Sequence, residues 1–295
     1  MNCDFTELEI RRLLSVSVVG SQKGVLKLVG DGGSDTVDIE GNGSGQVEVF
    51  INGISQGSFS NVTSINATLG AGNDVLNLSG IDISGNVVAN LGAGDDTFHI
   101  DNTTLLGAGA DANVHIGGNV VVKLGGDDGD LVDIQSSVGT GLGVHVDGNV
   151  ALIGAADVDI DGDGDDSTVE PEDVNIGGNL SIKSNLSNDV NLDGRTVVLD
   201  NVNVAGKTTV KTGASSDNVL VAGARLSGKV AVDLGAGADI LDLDSDNNDL
   251  LSVFSRFQSK VKFSGGADVD TLDELSTNVF LAGSAAAKFE TFVNV

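Results

Sequence analysis

The sequence predicts an all-β chain folded as a parallel β-helix, a β-solenoid of roughly ten coils with short helical caps. Two recurring phrases and a period-two pattern of aliphatic residues predict it. The first phrase is a small residue, then Asn or Lys, then alternating aliphatics. It reads Gly85-Asn86-Val87-Val88, Gly118-Asn119-Val120-Val121, Gly148-Asn149-Val150-Ala151 and Gly178-Asn179-Leu180-Ser181. Looser copies stand at Gly206-Lys207, Gly228-Lys229 and Ser259-Lys260, and successive copies start 22 to 33 residues apart. The second phrase is Leu69-Gly70-Ala71-Gly72-Asn73-Asp74-Val75-Leu76-Asn77-Leu78. It returns at 91–100, 124–134 and 234–243, and in worn form at 29–39 and 264–272.

Each unit alternates. Val230, Val232 and Leu234 are separated by Ala231 and Asp233, and Ile240, Leu241 and Leu243 follow the glycine turn. Short alternating runs punctuated by Gly and Asp are strands joined by tight turns. A unit of this size cannot bury a core alone, whereas stacked units cover one another at the ~4.8 Å spacing of paired strands. A β-sandwich does not require the same phrase to return in register. The expected organisation is an N-terminal motif and cap over 1–23, solenoid repeats over 24–283, and a C-terminal cap over 284–295. An acidic loop at 157–173 and a short helical excursion at 248–258 interrupt the repeats. Residues 4–14, with Asp4 as N-cap, 248–258 with apolar spacings of three and four, and 284–292 are the segments read as helices.

Composition excludes several classes. The chain of 295 residues carries 15 Lys and Arg against 43 Asp and Glu, a net charge of −28. Phosphate recognition needs the reverse balance, so nucleic acid is excluded as a partner. Hydrophobic residues at 40% exclude a chain disordered throughout, and the single Cys3 excludes an intramolecular disulfide framework. The apolar run 13–19 is about a third of the ~20 residues a spanning helix needs. Asp4, Glu7 and Glu9 precede Arg11 and Arg12, which is not the pattern of a secretory signal.

Oxygen ligands are abundant. Residues 159–170 fit the template D-x-D-x-D-G-x5-E of a calcium loop without a gap. Asp159, Asp161, Asp163 and Glu170 would be side-chain ligands, with the Asp165 carbonyl and Ser167 completing the shell. The competing reading is a solvated acidic loop. Asp166 stands where such loops carry an aliphatic, Pro171 follows at once, and the residues before Asp159 alternate like a strand.

The turn phrase resembles the glycine-rich nonapeptide of RTX-type calcium-binding proteins, G-G-x-G-x-D-x-aliphatic-x. The resemblance implies that Asp74, Asp96 and Asp239 are calcium ligands, and Asp35 more loosely. Gly70, Gly72, Gly92, Gly94, Gly235 and Gly237 match its turn glycines; its first glycine is Leu here, and its nine-residue period is replaced by steps of 22 or more. Stacked turns bring carboxylates near one another, and bound calcium or splaying into water would relieve the repulsion. Leu8-Glu9-Ile10-Arg11-Arg12-Leu13-Leu14-Ser15 is similar to the N-terminal motif of large surface-associated proteins of planctomycete bacteria, which implies export or a cell-envelope role.

Catalytic constellations are weak. His99, His115 and His145 each sit between apolar residues, so alternation points them outward, and His115 and His145 are one coil apart. The absence of Tyr and Trp leaves a sugar cleft without its usual stacking groups. The expectation is a non-enzymatic, acidic, calcium-binding solenoid at the cell surface or outside the cell, acting in adhesion or as a scaffold. Its expected partners are calcium ions and other surface proteins or polysaccharide. The alternatives are a polysaccharide lyase or glycoside hydrolase on a parallel β-helix, and an ice- or mineral-binding face, for which the threonines are too scattered.

Overall fold

The computed structural model describes residues 16–41, 46–102, 112–126, 129–136, 143–154, 157–162, 174–184, 197–243, 255–273, 284–287, 289 and 291–293. Every regular element among them is a strand. The strands form three sheets of eleven, twelve and seven strands, named A, B and C below. The chain visits them in turn: Ser64–Ala71 lies in A, Val75–Ser79 in B, Asp82–Ile83 in C, and Val87–Ala93 returns to A one coil on. Successive coils pair in parallel, with Ile65 beside Val87, Val87 beside Val120 and Val120 beside Val150. This is the expected parallel β-helix.

Alternation sets the core. Strand Leu180–Ser184 buries Leu180, Ile182 and Ser184 and turns Ser181 and Lys183 outward. In sheet B the same parity stacks Leu76, Phe98, Val132, Val158, Val197, Val219, Leu241 and Leu272 into one fully buried column. Each such side chain contributes about 1.5 to 3 kcal/mol on burial. The variable repeat length now has a cause. One of the two shortest coils, of 22 residues, runs from Thr208–Lys211 through Asn218–Ala222 and Arg225–Leu226 to Val230–Asp233. Longer coils keep those strands and place their extra residues between sheets B and C, as from Asp101 to Val114, or between A and B, as from Ser184 to Val197.

Glycine recurs for two reasons. Gly92 has φ of 123°, and a Cβ there would run into the Gly70 carbonyl oxygen of the preceding coil. The glycines of the Gly-Asn phrase approach backbone in the same way: a Cβ on Gly148 would meet the carbonyl of Gly118.

The expected helical caps are corrected. Residues 4–14 lie outside the described residues. Within 248–258, Arg256–Phe257 is a strand of sheet C, because Phe257 continues the buried column below Leu226 and meets Phe263 edge-on at 5.8 Å between ring centroids. The C-terminal segment supplies Ala285–Ala287 to sheet A and Thr291–Val293 to sheet B. At the other end the first coil is flanked by antiparallel strands. Ser17–Gln22 folds back on Val25–Val29, and Thr36–Gly41, Gln46–Ile51 and Ile54–Ser60 form a meander. Both Lys23-Gly24 and Asn52-Gly53 have positive φ at the two turn residues, the geometry of a tight hairpin turn.

Phe98→Ala is expected to cost about 3 to 5 kcal/mol and Ile134→Ala about 2 to 5. Val88→Ala, at a position 37% exposed on sheet A, should stay within about 0.5. Urea unfolding followed by far-UV circular dichroism measures all three. Equal losses at inward and outward positions would contradict the assigned parity.

Candidate functional site

The turn from sheet A to sheet B is where the sequence repeats its Gly-Asp phrase. Gly70, Gly72, Gly92, Gly94, Gly235 and Gly237 all take positive φ there. The chain that leaves the turn carries its aspartate inward. Asp74, Asp96 and Asp239 are buried, as are Asp35, Asp130, Asp217 and Asp270. They form two ladders, one of Asp35, Asp74, Asp96 and Asp130 and one of Asp217, Asp239 and Asp270, in which each carboxylate after the first accepts the backbone N–H of the equivalent aspartate one coil earlier. The Asp35 N–H donates to Asp74 Oδ1, Asp74 to Asp96 and Asp96 to Asp130, each at 2.8 Å. Farther along, Asp217 donates to Asp239 at 2.8 Å and Asp239 to Asp270 at 3.1 Å. Splaying into water, one of the two ways expected to relieve the repulsion, is therefore corrected: the side chains turn in because they share the parity of the core residues that follow them.

The second oxygen sets the electrostatics. Oδ2 of Asp35, Asp74 and Asp239 is buried without a hydrogen-bond partner. Burial pushes the Asp74 carboxyl up to about 6 and the Asp239 carboxyl to about 7; neighbouring aspartates add to the rise, and the amide hydrogen bond opposes it. A buried oxygen of this kind calls for a proton or a cation. Calcium takes six to eight oxygens at about 2.3 to 2.6 Å. The ladder offers it poor material, since one oxygen of each carboxylate is already held by an amide. Among the described residues no three acidic, His or Cys side chains are grouped to hold a metal ion. The proton suits these positions better.

The structure brings Asp74 and Asp96 together and sets Asp239 in the second ladder, farther along the stack. Asp159 and Asp161 lie elsewhere, on strand Asp157–Asp161 of sheet B. Both point outward, Asp159 beside Asp133 and Asp161 beside Asp200. The first three residues of the calcium-loop template are thus extended strand. Asp163, Asp165, Ser167 and Glu170 lie outside the described residues.

Two polar arrangements are more developed than the sequence reading gave. His99 places Nε2 3.3 Å from Asp101 and Nδ1 3.2 Å from Asp133. Burial opposes the charged ring, but the two carboxylates outweigh it and raise the His99 pKa to about 9. His115 sits between Asp82 at 3.0 Å and Asp147 at 3.3 Å and is raised in the same sense, mainly by the Asp82 hydrogen bond. The spacing of His115 and His145 did foretell their direct pairing in sheet C. The second arrangement is an asparagine ladder in the turn that enters sheet A. The Asn119, Asn149 and Asn179 N–H groups donate to Oδ1 of Asn86, Asn119 and Asn149, at 2.7, 2.8 and 2.9 Å, and their Nδ2 groups donate to the same oxygens. No protein-family model, no curated protein and no solved structure matches the chain.

Two pH windows follow from these shifts. Asp74 and Asp239 ionise near 3.9 in the unfolded chain and near 6 and 7 when folded, so the folded form holds more protons between those values. Stability therefore falls as pH rises from about 4 to 7, and Asp239→Asn should flatten that fall. His99 contributes stability below about 6.5 that is lost as pH rises through about 9, and His99→Gln should flatten only this second window. Melting curves at successive pH values test both; a stability that climbs from pH 4 to 7 would refute the ladder's assignment. Asn149→Ala removes the acceptor of the Asn179 amide and should cost about 1 kcal/mol in urea unfolding.

Proposed function

We propose that the chain is a non-enzymatic, acidic β-solenoid that serves as a cell-surface, adhesion or scaffold module, and that it binds calcium through its acidic segment 159–170. The observation that carries the reading is the use made of the repeated polar residues. The aspartates of one turn and the asparagines of another are spent on holding coil to coil. A chain that repeats its polar residues for stacking is built for length and rigidity, and its outer faces are repeated surfaces on which a partner can lie.

Calcium is assigned to the acidic segment because its template is complete in the sequence and its first residues stand in a carboxylate-rich neighbourhood. Asp133, Asp159, Asp161 and Asp200 occupy adjoining outward positions of sheet B. A hard cation there would neutralise charge and supply stability by mass action on the folded form. The resemblance of the turn phrase to RTX repeats and of residues 8–15 to planctomycete surface proteins supports an extracellular setting.

Thermal unfolding at fixed ionic strength, with calcium, with magnesium and with chelator, tests the proposal. Calcium should raise the melting temperature by several degrees where magnesium does not, and the double variant Asp161→Asn with Asp163→Asn should abolish that rise. Identical curves in all three conditions would remove calcium from the account. Release of reducing or unsaturated sugars from a polysaccharide would remove the non-enzymatic reading.

A further inference from the structure

The outward faces of sheets A and B carry opposite charge. Among the described residues, the strands of sheet A bear Lys27, Lys123, Lys183, Lys211 and Lys262 against a single carboxylate, Asp233. The strands of sheet B bear no Lys or Arg at all, and their charged residues besides His99 are Asp and Glu. In a chain of net charge −28 this sorting collects the scarce cations on one side.

The turn that enters sheet A extends the pattern. Lys207, Lys229 and Lys260 take over, coil by coil, the position held earlier by Asn86, Asn119, Asn149 and Asn179. The Lys207 N–H donates to Asn179 Oδ1 at 2.7 Å, and the strands that follow the three lysines pair in register. The result is one row parallel to the solenoid axis, with a donor every ~4.8 Å, amide donors first and ammonium groups after. All three lysines are exposed, and so are Lys183 and Lys211, which stand side by side on the adjoining strands. Each of Asn119, Asn149 and Asn179 uses one Nδ2 hydrogen within the ladder and keeps a second for a ligand. The carboxylates closest in sequence are Asp82 and Asp147, which both face His115, and Asp233, which pairs with Lys211 at 3.1 Å.

We propose that this row, with the sheet A face beside it, is a track for a linear acidic polysaccharide laid along the solenoid axis. Carboxylates of the polymer meet Lys207, Lys229 and Lys260, and its hydroxyls meet the asparagine amides. The proposal rests on the reading of the chain as a surface module and names that module's partner class. A line of exposed point charges at a fixed rise suits a polymer of evenly spaced carboxylates. Nucleic acid suits it less, because phosphates at high density meet a net charge of −28 and the chain has no Tyr or Trp on which bases could stack. A second copy of the chain suits it less too, since two copies that each carry a net charge of −28 repel one another.

The test is retention of the full chain on immobilised polygalacturonate at low salt, with chelator present so that calcium cannot bridge. The wild type should be retained and released by added salt. The triple variant Lys207→Ser, Lys229→Ser, Lys260→Ser should bind about tenfold more weakly with an unchanged melting temperature. Asp273→Asn on sheet B should bind as the wild type does. Equal retention on a neutral polysaccharide, tighter binding to duplex DNA, self-association in place of polymer binding, or indifference to the lysine substitutions would each overturn the proposal. If the polymer is bound and also cut, the track stands and the non-enzymatic reading falls; if it is neither bound nor cut, only the track falls.

Discussion

Parallel stacking makes every residue its own neighbour. A side chain at a given position of one coil lies ~4.8 Å from the side chain at the same position of the next, so each position must tolerate a copy of itself. Valine and leucine do so by packing. Asparagine does so because its amide both donates and accepts: Asn119 and Asn149 each donate to the coil before and accept from the coil after. Aspartate does not: two ionised carboxylates at that distance repel by about 3 to 4 kcal/mol at an effective dielectric of 20. The chain nevertheless stacks aspartates inside the turn. Asp74 and Asp239 persist there because one oxygen of each takes a backbone amide and the other holds a proton well above the usual carboxylate range. Coil-to-coil registry is the constraint on which the rest of the structure depends.

The same constraint governs the outer faces. Where like charges would stack on sheet B, His99 stands between Asp101 and Asp133 and offsets part of their charge. On sheet A the charges are mostly lysine, spaced by Ile153 between Lys123 and Lys183 or answered by Asp233 beside Lys211. Segregation by face leaves a solenoid with a basic side within a strongly acidic chain. The proposed function assigns cations to one side and an anionic polymer to another, and that division of surfaces is its basis.

Much of the fold was legible because the repeat is a repeat of positions. The Gly-Asn phrase marks the turn into sheet A, and its glycines recur because backbone passes backbone there. The direction of the turn aspartates was also written in the sequence, although the resemblance to calcium-binding turns drew attention away from it. Asp74, Leu76 and Leu78 share one parity, as do Asp96, Phe98 and Ile100, and a strict period-two reading sends all of them inward. The helical spacing seen at 248–258 misled for the converse reason. Phe257 owes its place to the column it continues across coils, and a pattern between coils is invisible to a window of neighbours along the chain. The ion pairs of His99 were equally hidden, since Asp133 lies a whole coil away.

The measurement that bears most directly on this account is the titration of individual aspartate carboxyl groups by carbon-detected NMR in the folded protein. The account predicts that the Asp74 and Asp239 resonances titrate near 6 and 7, well above the unfolded-chain value of about 3.9. Ladder carboxyls that ionise at or below 4 would contradict it, because charged aspartates would then be stacked inside the solenoid with nothing to hold them there.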